Sequence, residues 1–502
     1  MLKRVQHDTI RIIMETTYNL ISKIWAQTRS LIPLLIKNRY KVLLTLVLLA
    51  ISAFICFYQL GSGFFENWDE AWYAEVTKQM LKNHNPIVLY WNGKVFLDKT
   101  PLNFWFNALS SLIFGLNEFS IRLTSAISGF VIITIVTIHS MRKWGTVPAV
   151  AAFSALALNN LFIWRTRTGN LDALASLLIL LIYFVMISKH RWRLAMLGIL
   201  FGLTYLQKAS LVGYPLAIFF LHELLFQWRH VFKNIFGYIF CGLLFVGIVG
   251  TWLFLGNAQI GPEFANYYLY KADQGVATVA WQHLNTDYLW HAYYSLQRRI
   301  FYLFAIGVVF LGINTRKREY LILAAFALAL LVQLSFTQRD NNWYLVPSIP
   351  FWGLTVGFGT WNIIHLSRKI FKRRLYVTMF QIFILIPILY VSYKTFAVNI
   401  RAIIDTRANV AEVTSARMIR TLSRPNERIL RLDYSYPVTV YYADRASEYH
   451  TTIDGGLMAS IENNKISWVV GKNDQVRKFL ELYPRTPQKI ITSGDEETIV
   501  QL

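Results

Sequence analysis

Long apolar runs constrain this chain more than any other feature. A helix needs about 20 mostly apolar residues to cross the hydrocarbon core of a bilayer. Segments of that character recur near 42–60, 119–140, 146–163, 170–188, 193–206, 210–226, 236–255, 300–314, 320–336, 345–364 and 376–394. In lipid the backbone must satisfy its own hydrogen bonds, so repeated runs of this kind specify helices. The expected fold is mainly α, a polytopic transmembrane helical bundle of about eleven spans. The runs at 193–206 and 300–314 are short and need neighbours or tilting to cross. Composition agrees: 55% of the 502 residues are apolar and 16% are charged, against about 25% charged in soluble domains. Cys56 and Cys241 lie in apolar runs and read as small hydrophobes, with no disulfide framework, zinc motif or redox pair.

The charge pattern gives an orientation. Lys and Arg number 50 against 28 Asp and Glu, a net charge of +22. One alternating set of connections carries Arg142-Lys143, Lys189/Arg191/Arg193, Arg229/Lys233, Arg316-Lys317-Arg318 and Arg368 to Arg374, nearly free of acid. Such loops are cytoplasmic by the positive-inside rule. The other set holds Glu66, Asp69, Glu70, Glu75, Asp98, Asp172, Glu263, Asp273, Asp287 and Asp340, and faces outward. Topology therefore accounts for the basic excess, and nucleic acid is not an expected partner. Residues 1–40 read as an amphipathic segment on the cytoplasmic leaflet, with no cleavable signal peptide expected. Residues 41–395 form the membrane domain, with outward loops at 61–118 and 256–299. Residues 396–502 lose the apolar runs. They read as a small α/β domain, extracytoplasmic if eleven spans precede it.

Candidate chemistry gathers on the outward side. Trp68, Trp72, Val76 and Met80 recur every fourth residue, which predicts a helix over 68–83 lying in the interface with its apolar side to lipid. Asp69 and Glu70 fall in its first turn, where the helix dipole favours carboxylates. Asp98-Lys99 precedes Pro101 and an apolar helix, placing a carboxylate and an ammonium at the membrane surface. Arg165 and Arg167 end one apolar run, and Asp172 opens the next. Lys208 lies between two apolar runs with no acid nearby in sequence, and an anionic substrate would serve as its partner. Arg339 to Pro347 tops a later run, where Trp343 and Tyr344 suit an aromatic belt. The same residues also suit helix caps, solvated span ends and snorkelling lysines, and the pattern alone leaves both readings open.

The order of motifs narrows the choice. Asp-Glu-Ala-x-Tyr-Ala-Glu at 69–75 is followed by Asn-Gly at 92–93, Asp-Lys-Thr-Pro-Leu-Asn-Phe-Trp at 98–105 and Asn-Glu-Phe-Ser-Ile-Arg-Leu at 117–123. Then come Arg165 to Asp172, Gly-Leu-Thr-Tyr-Leu-Gln-Lys at 202–208 and Trp-Tyr-Leu-Val-Pro at 343–347. Over roughly 60–365 the chain resembles the GT-C-type lipid-linked-sugar glycosyltransferases, more narrowly the protein O-mannosyltransferase and aminoarabinose transferase superfamily. The resemblance implies a GT-C-like bundle. It also implies an acceptor-activating acid at Asp69 with Glu70 beside it, and substrate contacts at Asp98, Lys99, Asp172 and Lys208. Tyr73, Arg165, Arg167, Arg339 and Tyr344 complete the expected substrate-binding set. Trp72 stands where many relatives carry Arg, and Arg339 falls where relatives often carry Lys or His.

The function expected on this basis is inverting transfer of a sugar from a polyprenyl-phosphate donor to an extracytoplasmic lipid, glycan or protein. Outward cations would stabilise the leaving phosphate, and Asp69 would take the acceptor's proton. No cofactor is required by a monophosphate donor, although Asp98 and His283 are candidates to hold a divalent metal. The rival class is a transporter or lipid flippase, which shares the spans and buried charges. Such proteins often show repeats and helices broken at mid-membrane, and no repeat is visible here.

Overall fold

The computed structural model describes residues 39–271, 286–296, 298–314, 317–336, 341–371, 373–405, 410–434, 436–483, 485–493 and 496–502. The chain divides into two compact units, Met1–Ile51 and Ser52–Leu502. The described part of the first is the start of apolar helix α1 (Arg39–Phe57). The second carries α2 (Asp69–Lys82), a two-strand hairpin (β1 Tyr90–Trp91, β2 Lys94–Val95), α3 (Leu102–Phe114) and α4 (Glu118–Lys143). Helices α5 (Thr146–Ala157), α6 (Asn160–Arg167), α7 (Asp172–Ile187), α8 (Arg193–Gln207), α9 (Gly213–Phe226) and α10 (Ile235–Ile260) follow. The later helices are α11 (Arg299–Ile313), α12 (Arg318–Leu334), α13 (Ile349–Ile370) and α14 (Arg374–Asp405).

Among the described residues, four helical segments are long and apolar enough to span: α1, α4, Ala209–Phe226 and α10. Two bent pairs raise that number to six. One is α5 with α6, which bend by 61° where Asn159 interrupts the run and caps α6 by accepting the Phe162 N–H at 3.0 Å. Helices α3, α7, α8 and the stretch Leu375–Val391 are apolar but shorter. Eleven crossings at the expected places would need α7, α8, Leu375–Val391, α12 and α13 to cross as well.

The sharpest departure from expectation is α2. Its apolar side does not face lipid. Val76 and Met80 pack, with Tyr73 of the same helix, against Leu89 and Phe96 flanking the hairpin and Phe104 of α3, and Ala71 and Ala74 pack into the core of the C-terminal sheet. Fourfold spacing marks an apolar stripe but cannot say whether lipid or protein covers it.

After α14 the chain forms α15 (Val410–Leu422), β3 (Arg428–Arg431), α16 (Tyr436–Ala443), β4 (Ser447–Tyr449), α17 (Gly455–Asn463), β5 (Ile466–Lys472), α18 (Asn473–Leu482), β6 (Lys489–Ser493) and β7 (Glu497–Gln501). The five strands lie in the order β4-β3-β5-β7-β6. Strand β3 is parallel to β4 and β5, while β7 is antiparallel to β5 and β6. Alternation gives the sheet two covered faces. Ile429, Trp468, Val470 and Ile499 meet α15 and α16 together with Phe65 and Ile121. Leu430, Val469 and Val500 meet α17 and α18. The sheet core is thus continuous with the first loop. Lys78 ties the two together, reaching Glu75 at 2.5 Å, Asp444 at 2.9 Å and the Tyr441 carbonyl at 2.9 Å.

Candidate active site

Four chain segments build the polar end of one cavity of about 540 Å³. The first turn of α2 contributes Asp69 and Tyr73, and the turn before α3 contributes Lys99. Arg165 comes from the last turn of α6 and Asp172 from the first turn of α7. The loop between them is locked by Asn170, whose Oδ1 accepts the Asp172 N–H and whose Nδ2 donates to the Thr168 carbonyl, each at 2.8 Å. Lys208 sits where α8 ends and the backbone runs extended before a 3-10 turn at Ala209–Val212. That break lets its ammonium turn into the cavity instead of following the helix.

Arg165 is placed by a close helix crossing. A Cβ on Gly129 of α4 would collide with the Thr166 side chain on α6, so only glycine allows this approach. Arg165 then donates from Nε and Nη2 to Asp172 Oδ2 at 2.8 and 2.6 Å. Its Nη2 also reaches Asp69 Oδ2 at 3.2 Å. Lys208 Nζ donates to Asp172 Oδ1 at 3.1 Å and lies 5.0 Å from the Tyr344 ring centre. Asp172 is therefore a buried anchor for two cations and is not poised to accept a proton. The Tyr73 hydroxyl lies 3.4 Å from Asp69 Oδ1. Burial, then the neighbouring Asp69 charge, raise the phenol well above its usual range, so Tyr73 stays a donor. Asp69 is the exposed acid of the set, its side chain 37% accessible against 3% for Asp172.

The Lys99 carbonyl accepts from the Tyr268 hydroxyl at 2.9 Å, while its ammonium has no hydrogen-bond or ion-pair partner among the described residues, and the residue lines the cavity. Three cations thus converge with two carboxylates, which leaves a positive excess suited to a phosphate. The opposite flank is apolar: Ala217, Ile218 and Leu221 of α9 face Ala329, Leu330 and Leu334 of α12. An anion-binding end joined to a greasy flank fits a phosphate carried on a hydrocarbon tail.

Several expected residues are placed elsewhere. Glu70 is buried and points away from the cavity. It accepts from Arg122 Nε at 2.7 Å, Arg122 Nη2 at 3.0 Å, and the backbone N–H groups of Glu66 and Gly169 at 2.8 Å each. Burial alone would raise its carboxyl, and the Arg122 guanidinium overrides that, holding it below the usual carboxylate range. These four hydrogen bonds make Glu70 a fastener between α2, α4 and the loop before α7. Arg167 is taken up by the carbonyls of Ile55 and Tyr58, at 2.5 and 2.7 Å, which end an earlier helix. Asp98 is exposed and accepts from the Tyr267 hydroxyl at 2.9 Å. His283 and Arg339 lie outside the described residues, and among those described no group of three His, Cys, Asp or Glu gathers to hold a metal.

The sequence reading gave no role to Arg122 and Asn170. Arg122 carried a usable signal, since an arginine inside an apolar run must have a buried partner.

The fold and site together define a polytopic membrane protein with an acid and a phosphate-sized cation cluster beside an apolar channel. Residues 98–254 match the family model described as dolichyl-phosphate-mannose-protein mannosyltransferase. The undecaprenyl phosphate-alpha-4-amino-4-deoxy-L-arabinose arabinosyl transferase of Pseudomonas savastanoi pv. phaseolicola is 29% identical over 36% of this chain and 36% of its own length. The Shewanella sediminis protein of the same description is 32% identical over 24% of this chain and 23% of its length. The match therefore spans about a third or less of these curated relatives. The crystal structure of ArnT from Cupriavidus metallidurans bound to undecaprenyl phosphate superposes with a TM-score of 0.67 at 16% identity, covering 91% of this chain and 97% of that one. These findings bear out the resemblance read from the motifs. The chain thus shares its fold with the solved ArnT structures, and residues 98–254 are similar in sequence to the mannosyltransferase family model.

Proposed function

We propose that this protein transfers a sugar from a polyprenyl-phosphate donor to an acceptor at the outer membrane–water interface, with inversion at the anomeric carbon. One observation carries the reading: Asp69, Lys99, Arg165 and Lys208 face a single cavity that continues into an apolar flank. The tail would lie between α9 and α12, and the phosphate would sit among the three cations. As the bond between the anomeric carbon and the phosphate oxygen breaks, charge builds on the leaving phosphate, where fixed cations stabilise it. Arg165 engages Asp69 Oδ2, and Oδ1, which meets the Tyr73 hydroxyl at 3.4 Å, keeps a lone pair to accept the proton of the attacking group. A monophosphate donor presents no diphosphate for a metal to bridge, so the reaction as proposed uses no metal. The named relatives, two of them undecaprenyl-phosphate-sugar transferases, support the reading over a transporter or flippase.

The proposal places the membrane domain at 41–395 in the plasma membrane, crossing about eleven times. It places residues 1–40, almost wholly outside the described residues, on the cytoplasmic side, and 396–502 outside. The test of the central reading uses the full chain in nanodiscs and radiolabelled undecaprenyl phosphate. Saturable binding that competes with a polyprenyl-phosphate sugar is expected. Failure of undecaprenyl phosphate to bind at all would overturn it.

A further inference from the structure

Asp69, Arg165 and Trp343 border two cavities, and the donor reading uses only one. On their far side lies a chamber of about 330 Å³ with a different lining. Trp68, Trp164 and Trp343 supply indole faces, with Trp164 and Trp343 packed edge to face at 6.3 Å. Glu66 accepts the Trp164 indole N–H at 3.0 Å. Burial, then the nearby Glu70 charge, raise the Glu66 carboxyl above its usual range. Arg165 is the only cation among the described lining residues, and Asp172 and Asp69 already hold it. A phosphate entering here would meet Glu66 and Glu70 with no free cation to receive it. Neutral hydroxyls face no such penalty.

Two further features point to a ligand. Asn67 donates from Nδ2 to the Tyr434 carbonyl at 3.0 Å, yet its Oδ1 is buried without a donor. Trp68 holds φ 64° and ψ −114°, a backbone conformation that side chains other than glycine rarely adopt. Strain of this kind clusters at binding sites, where the surrounding structure enforces it. Here it turns the indole into contact with the C-terminal domain. The Trp68 ring meets Tyr436 at 5.8 Å, Tyr436 stacks on Tyr449 at 4.6 Å, and Tyr449 meets Tyr434 at 5.8 Å. Trp68, Tyr449 and Tyr434 are 37%, 41% and 57% exposed, so three of the four rings in the ladder are open to solvent. Exposed aromatic faces rimmed by amide and carboxylate groups match the surface of sugar rings, which present C–H faces to stack and hydroxyl edges to hydrogen-bond.

We propose that this chamber and aromatic ladder are the acceptor site, and that the acceptor is a neutral glycan. The inference rests on the glycosyltransferase reading and names its acceptor class. The terminal sugar would sit among the three indoles with one hydroxyl beside Asp69, and further sugars would lie along Tyr436, Tyr449 and Tyr434. The hydroxyl oxygen forms the new bond to the anomeric carbon while the bond from that carbon to the phosphate oxygen breaks. The hydroxyl proton passes to Asp69, and the bonding electrons leave with the polyprenyl phosphate.

The full chain in nanodiscs is titrated with neutral di- to hexasaccharides of glucose, galactose, mannose and N-acetylglucosamine. Indole fluorescence is followed, and undecaprenyl phosphate binding is measured in parallel. A bis-phosphorylated glycolipid is the contrasting probe. At least one neutral oligosaccharide should bind saturably, and Y434A together with Y449A should weaken it about tenfold without changing undecaprenyl phosphate binding. Tyr434→Ala alone, which leaves the Tyr436–Tyr449 stack intact, should weaken longer oligosaccharides more than disaccharides. Binding of the phosphorylated glycolipid alone, of no acceptor probe, or of oligosaccharides equally by wild type and variants overturns the inference while the donor reading stands. Loss of undecaprenyl phosphate binding in the wild type overturns the donor reading itself, and the acceptor assignment falls with it.

Discussion

Asp69 and Glu70 are adjacent in sequence, yet the structure gives them opposite tasks, and exchanging each for its amide separates them. Glu70 accepts four hydrogen bonds at 2.7–3.0 Å in a site where its side chain and that of Arg122 are each 2% accessible. Glutamine can accept on one terminus only, and its amide would point hydrogens at groups that also donate. Breaking a buried ion pair from one side typically costs about 3–5 kcal/mol, so Glu70→Gln should markedly lower thermal stability. Asp69 is different. It is one-third exposed, its contact with Arg165 is 3.2 Å, and Arg165 keeps Asp172 when that contact weakens. Asp69→Asn should leave thermal stability and donor affinity near wild type and lower transfer by about 10²–10⁴, the usual loss of a general base. The assay is sugar transfer per folded molecule, with melting of the purified full chain measured alongside. A variant Asp69→Asn that keeps more than about a tenth of the rate contradicts the base assignment. A Glu70→Gln protein that melts normally but cannot transfer sugar would make Glu70 the chemical acid and refute the geometric argument.

Lys99→Met should weaken undecaprenyl phosphate binding about 10- to 150-fold with unchanged melting, whereas Lys208→Met should lower both, because Asp172 loses one of its two cations; equal melting of the two variants would refute the distinction. Burial pushes the Glu75 carboxyl up to about 7 against the pull of Lys78, so between pH 4.5 and 7 the folded state binds more protons than the unfolded one. Stability should therefore fall as pH rises through that window, by on the order of 3 kcal/mol, and Glu75→Gln should flatten the slope seen in a pH series of melting curves. Glu70 has the opposite sign: its lowered carboxyl contributes stability above the usual carboxylate range that is lost as pH falls through the folded value. Alkaline phosphatase fused after Leu502 should be active if the C-terminal domain is outside, and a cytoplasmic fluorescent reporter at that position should then be dark.

What the sequence determined by itself is what short-range physics encodes. Apolar runs require helices in lipid. The loss of apolar runs after 396 marked a region of mixed helices and strands, where α15 to α18 and β3 to β7 lie. Motif order placed Asp69, Lys99, Asp172 and Lys208 in one functional set, because residue types and spacings survive in a linear string. Tertiary structure decided which of those groups meet. The pair Arg165–Asp172 is seven residues apart, within reach of a sequence argument, but Glu70–Arg122, Asp69–Arg165 and Asp172–Lys208 are separated by 52, 96 and 36 residues. An apolar stripe on α2 could face lipid or protein, and a carboxylate beside Asp69 could point either way around a helix. Only the placement of Arg122 of α4 beside Glu70 and of Arg165 of α6 beside Asp69 separated the two carboxylates, one buried and one lining the cavity. Helical period assigns faces, but what covers each face is set by distant residues whose charges must be paired once water is excluded.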